Sequence, residues 1–280
     1  MGKIIGIDVG GSTTKIVGFD AKEKDKLISP IFVKASDQLA SVFGAFGKFT
    51  SENGIDISDI EKVMITGVGS SFVGKTIYDI PASHLSEFKC VGRGGLFISG
   101  YEKAIVVSMG TGTAIISADK TGKNPVYEYM GGTGVGGGTI MGLSKQMLGV
   151  SDFETLVKLA EKGDIEKIDL RIGDITKKDI GGLPSHMTAS NFGKLSDIAS
   201  KNDIALGIIN MVFESVGMLA VFAARSRNTK DVVLTGSLSK IPQAKYVFEI
   251  LSTMFDMNFV IPENAEFGTV IGAALAAFEK

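Results

Sequence analysis

The chain has 280 residues, with 29 basic side chains against 31 acidic ones and a formal charge of −2. At 44% hydrophobic and 21% charged it has the composition of an ordinary globular protein with one large domain or two medium ones, which excludes wholesale disorder. The charge balance supplies no basic stripe for nucleic acid, and one cysteine (Cys90) with two histidines (His84, His186) makes neither a disulfide nor a Cys/His zinc set. A reducing cytoplasm is the expected setting. The opening run from Met1 breaks at Asp8, too early for a signal peptide. The longest apolar run, Val216–Ala224, is about half of what a bilayer span needs, so no membrane partner is expected.

Glycine is in excess, 36 residues, and it gathers at the ends of β-branched runs. In chain order, Lys3–Val9 predicts a strand ending in Gly10-Gly11, and Thr14–Asp20 a returning strand, with a hairpin turn between them. A third strand is expected at Ile31–Lys34. Helical spacing of Leu39, Val42, Phe43, Phe46 and Phe49 predicts a helix over Asp37–Thr50. Lys62–Thr66 reads as a strand closed by Gly67-Val68-Gly69. Lys103–Ser108, Gly110–Thr113 and Ala114–Ala118 then repeat strand, Gly/Thr turn, strand about a hundred residues on, which points to two related halves. The glycine-rich stretch Gly131–Gly138 leads into a helix at Thr139–Leu148, followed by a helix at Asp152–Glu161. Asp203–Arg225 predicts a long helix apolar all round, and therefore buried in a core or an interface. A strand at Val232–Thr235, ending in Gly236-Ser237, and a closing helix at Thr269–Phe278 complete the order.

Three loops are candidates for phosphate chemistry, the first two reading equally as ordinary hairpin turns when each is taken alone. In Asp8-Val9-Gly10-Gly11-Ser12-Thr13-Thr14-Lys15, backbone N–H groups can face a phosphate unobstructed, Asp8 can hold magnesium through water, and Lys15 can reach a phosphate. Gly110-Thr111-Gly112-Thr113 adds hydroxyl donors to the same geometry, and Gly131–Gly138 before a helix is an anion seat of the helix N-terminus type. Gly69–Thr76 matches the pattern GxxxxGK[ST] after a strand, but Pro81 leaves room for only a short helix. The next strand, Lys103–Ser108, also lacks a terminal Asp for magnesium, so a chance match is expected. Glu87, in a segment of poor periodicity between Pro81 and Gly92-Arg93-Gly94-Gly95, reads from its local sequence more readily as a solvated surface carboxylate than as a loop carboxylate poised to take a proton from a substrate hydroxyl. No GxSxG elbow accompanies the histidines, which excludes a serine hydrolase reading.

Together the loops resemble the actin/sugar-kinase/Hsp70 ATPase superfamily, and within it the type II pantothenate kinases, nearly end to end. Leu183–Gly193 resembles that family's pre-helix segment, Thr235-Gly236-Ser237 its late nucleotide-side turn and Phe267–Ala274 its closing helix. The resemblance implies an α/β protein of two ribonuclease-H-like lobes with an ATP cleft between them. Residues 1–100 would form one lobe, residues 101–265 the other, and a closing helix at about 266–280 would return to the first. It implies ATP and Mg2+ as cofactors, pantothenate as substrate, and a homodimer. Glu87 would be the general base and Asp8 the magnesium organiser. Gly10, Gly11, Ser12, Lys15, Thr111, Gly112, Gly137, Gly138, Thr139 and Ser237 would meet the nucleotide, with Phe153 near adenine. Before the glycine-rich loop the family usually carries a substrate-binding Arg. Glu128-Tyr129-Met130 stands there instead, so Tyr129 and Arg93 are expected at the substrate. A kinase for another small hydroxylated metabolite and a non-catalytic nucleotide switch are the alternatives. A radical-dehydratase activator would need two cysteines per subunit to bridge an iron–sulfur cluster.

Overall fold

The computed structural model describes residues 2–23, 26–34, 37–177 and 184–279. The first sheet is built from β1 (Lys3–Val9), β2 (Thr13–Asp20), β3 (Leu27–Lys34), β4 (Ile60–Thr66), β5 (Thr76–Ile77) and β6 (Ile80–His84), in the order β3-β2-β1-β4-β6-β5. Two helices belong to this stretch, α1 (Gln38–Asn53) and α2 (Glu87–Ser99). The second sheet joins β7 (Lys103–Met109), β8 (Thr113–Asp119) and β9 (Val126–Thr133) to two later strands. Next in the chain come α3 (Gly137–Leu148), α4 (Phe153–Ala160), β10 (Leu170–Arg171), α5 (Ile172–Ile175), β11 (Thr188–Ser190) and α6 (Lys201–Ser226). The chain ends with β12 (Asp231–Thr235), α7 (Pro242–Phe255), β13 (Asn258–Val260) and α8 (Gly268–Leu275).

The second sheet runs β13-β12-β7-β8-β9, so each sheet contains an antiparallel three-strand meander continued by two parallel strands, and the first adds β5 antiparallel to β6. The repeat seen in the sequence is thus a repeat of topology. β3 is longer than the sequence suggested, because Leu27 and Ile28 also pair along β2. In β1 the period of two sorts the side chains: Ile5, Ile7 and Val9 meet Val42, Phe46 and Phe49 of α1, and Ile4 joins Val270, Ile271 and Ala274 of α8 on the other face. The helix α1 starts at Asp37, whose carboxylate caps the Ala40 N–H, and stops at Gly54 in the left-handed region.

Between the sheets lie α2 and α8. Val91 and Leu96 of α2 pack on Val106 and Ile116 of the second sheet, whereas α8 seals the first. The two helices cross almost backbone to backbone. A Cβ on Gly94 would come 1.7 Å from the Gly268 carbonyl oxygen, and one on Gly272 would come 1.9 Å from that of Cys90. Cys90 is buried at this crossing, and burial pushes its thiol up to about 11, which removes it as a nucleophile or ligand.

The largest core surrounds α6, where Ile208, Ile209, Val212, Phe213 and Val216 fill the space beneath Ile105, Val107 and Met109. By length and hydropathy α6 meets the criteria of a membrane-crossing helix, and 61% of its most apolar window is buried inside the protein. Leu219 and Phe222 of α6 and Tyr246 of α7 remain exposed.

Candidate active site

The ends of equivalent strands in the two sheets present the loops that the sequence singled out. Asp8 and Lys15 stand opposite each other across the β1–β2 pair, and the turn between them is closed by a 3.0 Å bond from the Gly10 N–H to the Thr13 carbonyl. Gly11 and Ser12 are exposed at its tip. The β7–β8 turn is closed in the same way, Gly110 N–H to Gly112 carbonyl at 2.9 Å, leaving Thr111 exposed.

Lys15 reaches from the first sheet to the second. Its Nζ donates to Ser237 Oγ at 3.1 Å, in the turn after β12, and to the Glu266 carbonyl at 2.7 Å, just ahead of α8. The Glu266 carboxylate pairs with Lys240, while its Oε2 is buried without a hydrogen-bond partner. Burial lowers the Lys15 pKa, and the Asp8 and Glu266 charges oppose that shift. Burial likewise raises the Asp8 carboxyl above the ordinary range, with Lys15 acting against it.

Glu87 is not on a loop. It occupies the first turn of α2, after Ser86 in extended backbone, and the Ser86 carbonyl accepts the Cys90 N–H at 3.1 Å. Leu85 is tied to β4 by its N–H to the Ile65 carbonyl and by Thr66 Oγ1 to its own carbonyl, which fixes where α2 begins. The Glu87 carboxyl is raised, first by desolvation and second by the Asp8 carboxylate, so the two acids share one electrostatic environment.

The start of α3 serves the loops in an unexpected way. The N–H groups of Gly137 and Gly138 donate to the carbonyls of Gly110 and Thr111, each at 2.9 Å. They clamp the second hairpin rather than stand free as an anion seat. A Cβ at Gly136 would meet the Thr111 carbonyl at 2.7 Å, which is why glycine stands there. Thr139 Oγ1 donates to the Gly134 carbonyl and accepts from the Gly136 N–H. The strand β9 runs through Gly131 and Gly132, so the glycine-rich stretch is half strand and half helix start.

Three further expectations meet different surroundings. Arg93 forms a two-pronged pair with Glu279, Nε to Oε1 at 2.7 Å and a terminal nitrogen to Oε2 at 2.5 Å, and also donates to the Gly272 carbonyl. Its guanidinium is therefore engaged at the helix crossing rather than free for a substrate. Phe153 begins α4 and packs against the α6 core. Tyr129, on β9, stacks on Phe88 with ring centroids 4.0 Å apart and planes 15° apart. The Gly69–Thr76 match forms a short 3-10 turn and a two-residue strand with Lys75 and Thr76 exposed, with no helix after it.

Leu183 of the pre-helix segment lies outside the described residues. Within the rest of it, Thr188 Oγ1 and Asn191 Nδ2 donate to Glu214, and the Phe192 N–H and Asn210 Nδ2 donate to the buried Asp169. This network floors a cavity of about 300 Å³ bounded by His186, Met218 and Tyr246. Asp169, Glu214, Glu266 and Phe88 escaped the sequence reading because none sits in a spacing pattern.

Among the described residues no cluster of three or more His, Cys, Asp or Glu could enclose a metal ion. Asp8 alone, a desolvated carboxylate with one lysine opposite, suits a magnesium ion that keeps its waters and arrives with phosphates.

Two meander-plus-parallel sheets, joined through crossed helices and presenting hairpin loops at equivalent strand ends, define an α/β protein of the two-lobed ATPase and sugar-kinase fold. Solved structures agree. An activator of 2-hydroxyisocaproyl-CoA dehydratase from Clostridium difficile with bound ADPNP superposes at a TM-score of 0.68, with 19% identity over 99% of this chain and 94% of that one. A ROK family glucokinase from Streptomyces griseus with glucose and AMPPNP gives a TM-score of 0.58 at 13% identity, over 97% and 98%. At such identities the likeness is one of fold. The Fumble family model matches residues 101–259. A type II pantothenate kinase of Bacillus cereus is 33% identical over 255 residues, covering 85% of this chain and 84% of the relative. One from Staphylococcus aureus is 29% identical over 96% and 97%. The chain belongs to the type II pantothenate kinase (Fumble) family.

Proposed function

We propose that this chain transfers the γ-phosphoryl group of ATP to the 4′-hydroxyl of pantothenate, a step of coenzyme A biosynthesis, with Glu87 as the general base. The observation that carries the reading is the place of Glu87: at the head of a helix pinned to β4, half-buried, and electrostatically coupled to Asp8. A raised carboxyl pKa makes a stronger base, which suits removal of a proton from an alcohol. Its position in a first helical turn fixes the direction of approach.

Asp8 would hold magnesium through water, and the ion would neutralise phosphate charge. Lys15 would exchange its bonds to Ser237 and Glu266 for phosphate oxygens. Gly10, Gly11 and Ser12 from one hairpin, and Thr111 and Gly112 from the other, would bracket the phosphates from both sheets. The clamp from Gly137 and Gly138 would hold the second hairpin rigid, with Thr139 setting the local backbone. The two lobes, residues 1–100 with 266–280 and residues 101–265, would close about the α2–α8 crossing to exclude water.

A homodimer is part of the proposal, supported by the exposed Leu219, Phe222 and Tyr246 on neighbouring helices. Sedimentation of the wild type and of Phe222→Asp tests it; two identical monomer boundaries would count against it. For the reaction, phosphopantothenate formation from ATP and Mg2+ is followed by mass. Loss of about a hundredfold or more in Glu87→Gln is expected. Unchanged turnover would remove Glu87 as the base.

A further inference from the structure

The turn after β12 lies beside the second phosphate hairpin. Gly236, with a φ of +89°, backs so closely onto the end of β7 that a Cβ there would stand 2.4 Å from the Met109 carbonyl oxygen. Leu238 lies 3.6 Å from the place of a Cβ on Gly137, the residue whose N–H clamps Gly110. Ser239 Oγ folds back on the Gly236 carbonyl at 2.7 Å, and the Gly236 N–H reaches the Ala265 carbonyl at 3.0 Å. The turn is thus fixed to the hairpin on one side and to the approach to α8 on the other, with Ser237 and Lys240 exposed.

Two lysines converge on one residue here. Lys15, from the first sheet, donates to the Glu266 carbonyl, and Lys240, from the turn, pairs with the Glu266 carboxylate. The charge of Lys240 opposes the protonation of Lys15, so the two ammonium groups share one field. The Glu266 side chain is only 11% exposed, and its Oε2 accepts no hydrogen bond. A desolvated carboxylate beside a seat for phosphates would repel them, and Lys240 cancels that charge. The pair engages a single carboxylate oxygen, and the Lys240 side chain is 61% exposed, so its ammonium keeps donors for a further acceptor.

We propose that Lys240 is a second polyphosphate-binding residue of the nucleotide site and that Glu266 is its positioning residue, so that each sheet supplies one lysine to the phosphates. The inference rests on the reading that places the ATP phosphates between the two hairpins. Lys15 approaches them from the first hairpin and Lys240 from beside the second. Glu266 keeps both ammonium groups at the cleft, where their like charges would otherwise drive them apart.

Calorimetric titration of the full chain with ADP, repeated over a series of salt concentrations, reads the phosphate contact without turnover. Lys240→Met is expected to weaken ADP about tenfold with a shallower dependence on salt, and Lys240→Arg to restore both. Glu266→Gln removes a negative charge and is expected to tighten ADP about threefold or more, which a loss of packing would not do. In the Glu266→Gln background, Lys240→Met is expected still to cost about tenfold, which separates the lysine's own contact from the glutamate charge it uncovers. Lys240→Met binding within twofold of wild type, or Glu266→Gln binding more weakly than wild type, overturns the inference and leaves the kinase reading standing. If Lys15→Met also leaves ADP binding unchanged, the placement of phosphates between the hairpins falls with it.

Discussion

Gly94→Ala tests the backbone contact at the α2–α8 crossing. The added methyl would stand 1.7 Å from the Gly268 carbonyl oxygen and 3.0 Å from the Gly272 nitrogen, both of them main-chain atoms of a buried helix. No side chain can swing aside, so the helices must part by more than an ångström. Overpacking of this kind costs about 1–3 kcal/mol, and a clash against backbone lies at the top of that range. At about 2–4 °C per kcal/mol for a protein near this size, a fall in Tm of about 10 °C is expected. Because α2 begins with Glu87, the same displacement moves the proposed base, and a shift of about 1 Å in it is expected to cost roughly a hundredfold in kcat. Gly47→Ala is the matched control: it lies inside α1 with nothing within 4 Å of the new Cβ, and is expected to gain about 0.5–1 kcal/mol from helix propensity alone. Thermal melts and steady-state turnover of the two variants, with wild type alongside, decide the matter. A Gly94→Ala protein that melts within a degree of wild type, or a Gly47→Ala protein that loses as much, would refute the close-crossing argument.

Glu87→Gln, besides losing turnover, is expected to raise Tm at pH 7. Its folded carboxyl is raised above the unfolded value, so burying the charge opposes folding at neutral pH, and the difference from wild type should vanish in melts below about pH 4, where both states are protonated. In the wild type, kcat should rise with pH through a midpoint above the ordinary glutamate value; a midpoint at or below it would count against Glu87. Asp20 behaves oppositely: its hydrogen bond from Lys3 lowers its pKa, so its contribution is present above about pH 4 and fades as pH falls through the lower folded value, a loss that Asp20→Asn should abolish in a pH series of melts. Arg93→Ala should lower Tm and kcat while leaving the pantothenate KM within about twofold, since its partners are Glu279 and the Gly272 carbonyl; a selective tenfold rise in KM would restore it to the substrate. Lys15→Met should raise the KM for ATP and weaken binding of ADP measured by calorimetry, and unaltered nucleotide binding would argue against its reaching the phosphates.

What the sequence disclosed was local. Both hairpins were legible because β-branched runs end abruptly in glycine and threonine, and α6 because its apolar residues persist for many turns. The helix α2 was not legible, since Gly92, Gly94 and Gly95 weaken any helical signal and its formation depends on α8, far along the chain. Glu87 was therefore found as a candidate but placed on a loop. The engagement of Arg93 was hidden for the same reason: its carboxylate partner lies 186 residues away. Phe153, placed near adenine only by the family resemblance, packs partly buried against the core around α6. The glycines before α3 announced a close approach, but only the fold shows that the neighbour includes another loop.

The duplicated hairpin divides labour between its copies. In the first, Asp8 pairs with Lys15 across the strands; at the matching rung of the second, Ser108 pairs with Ala114. One copy is thus ionic and the other electroneutral, although they share a backbone plan. Acid or salt would act on the cleft through the first hairpin, while the second would keep its shape through main-chain bonds that do not titrate. An exchange of side chains between the copies, Ser108→Asp with Ala114→Lys, would make the scaffold symmetric in charge as it already is in topology.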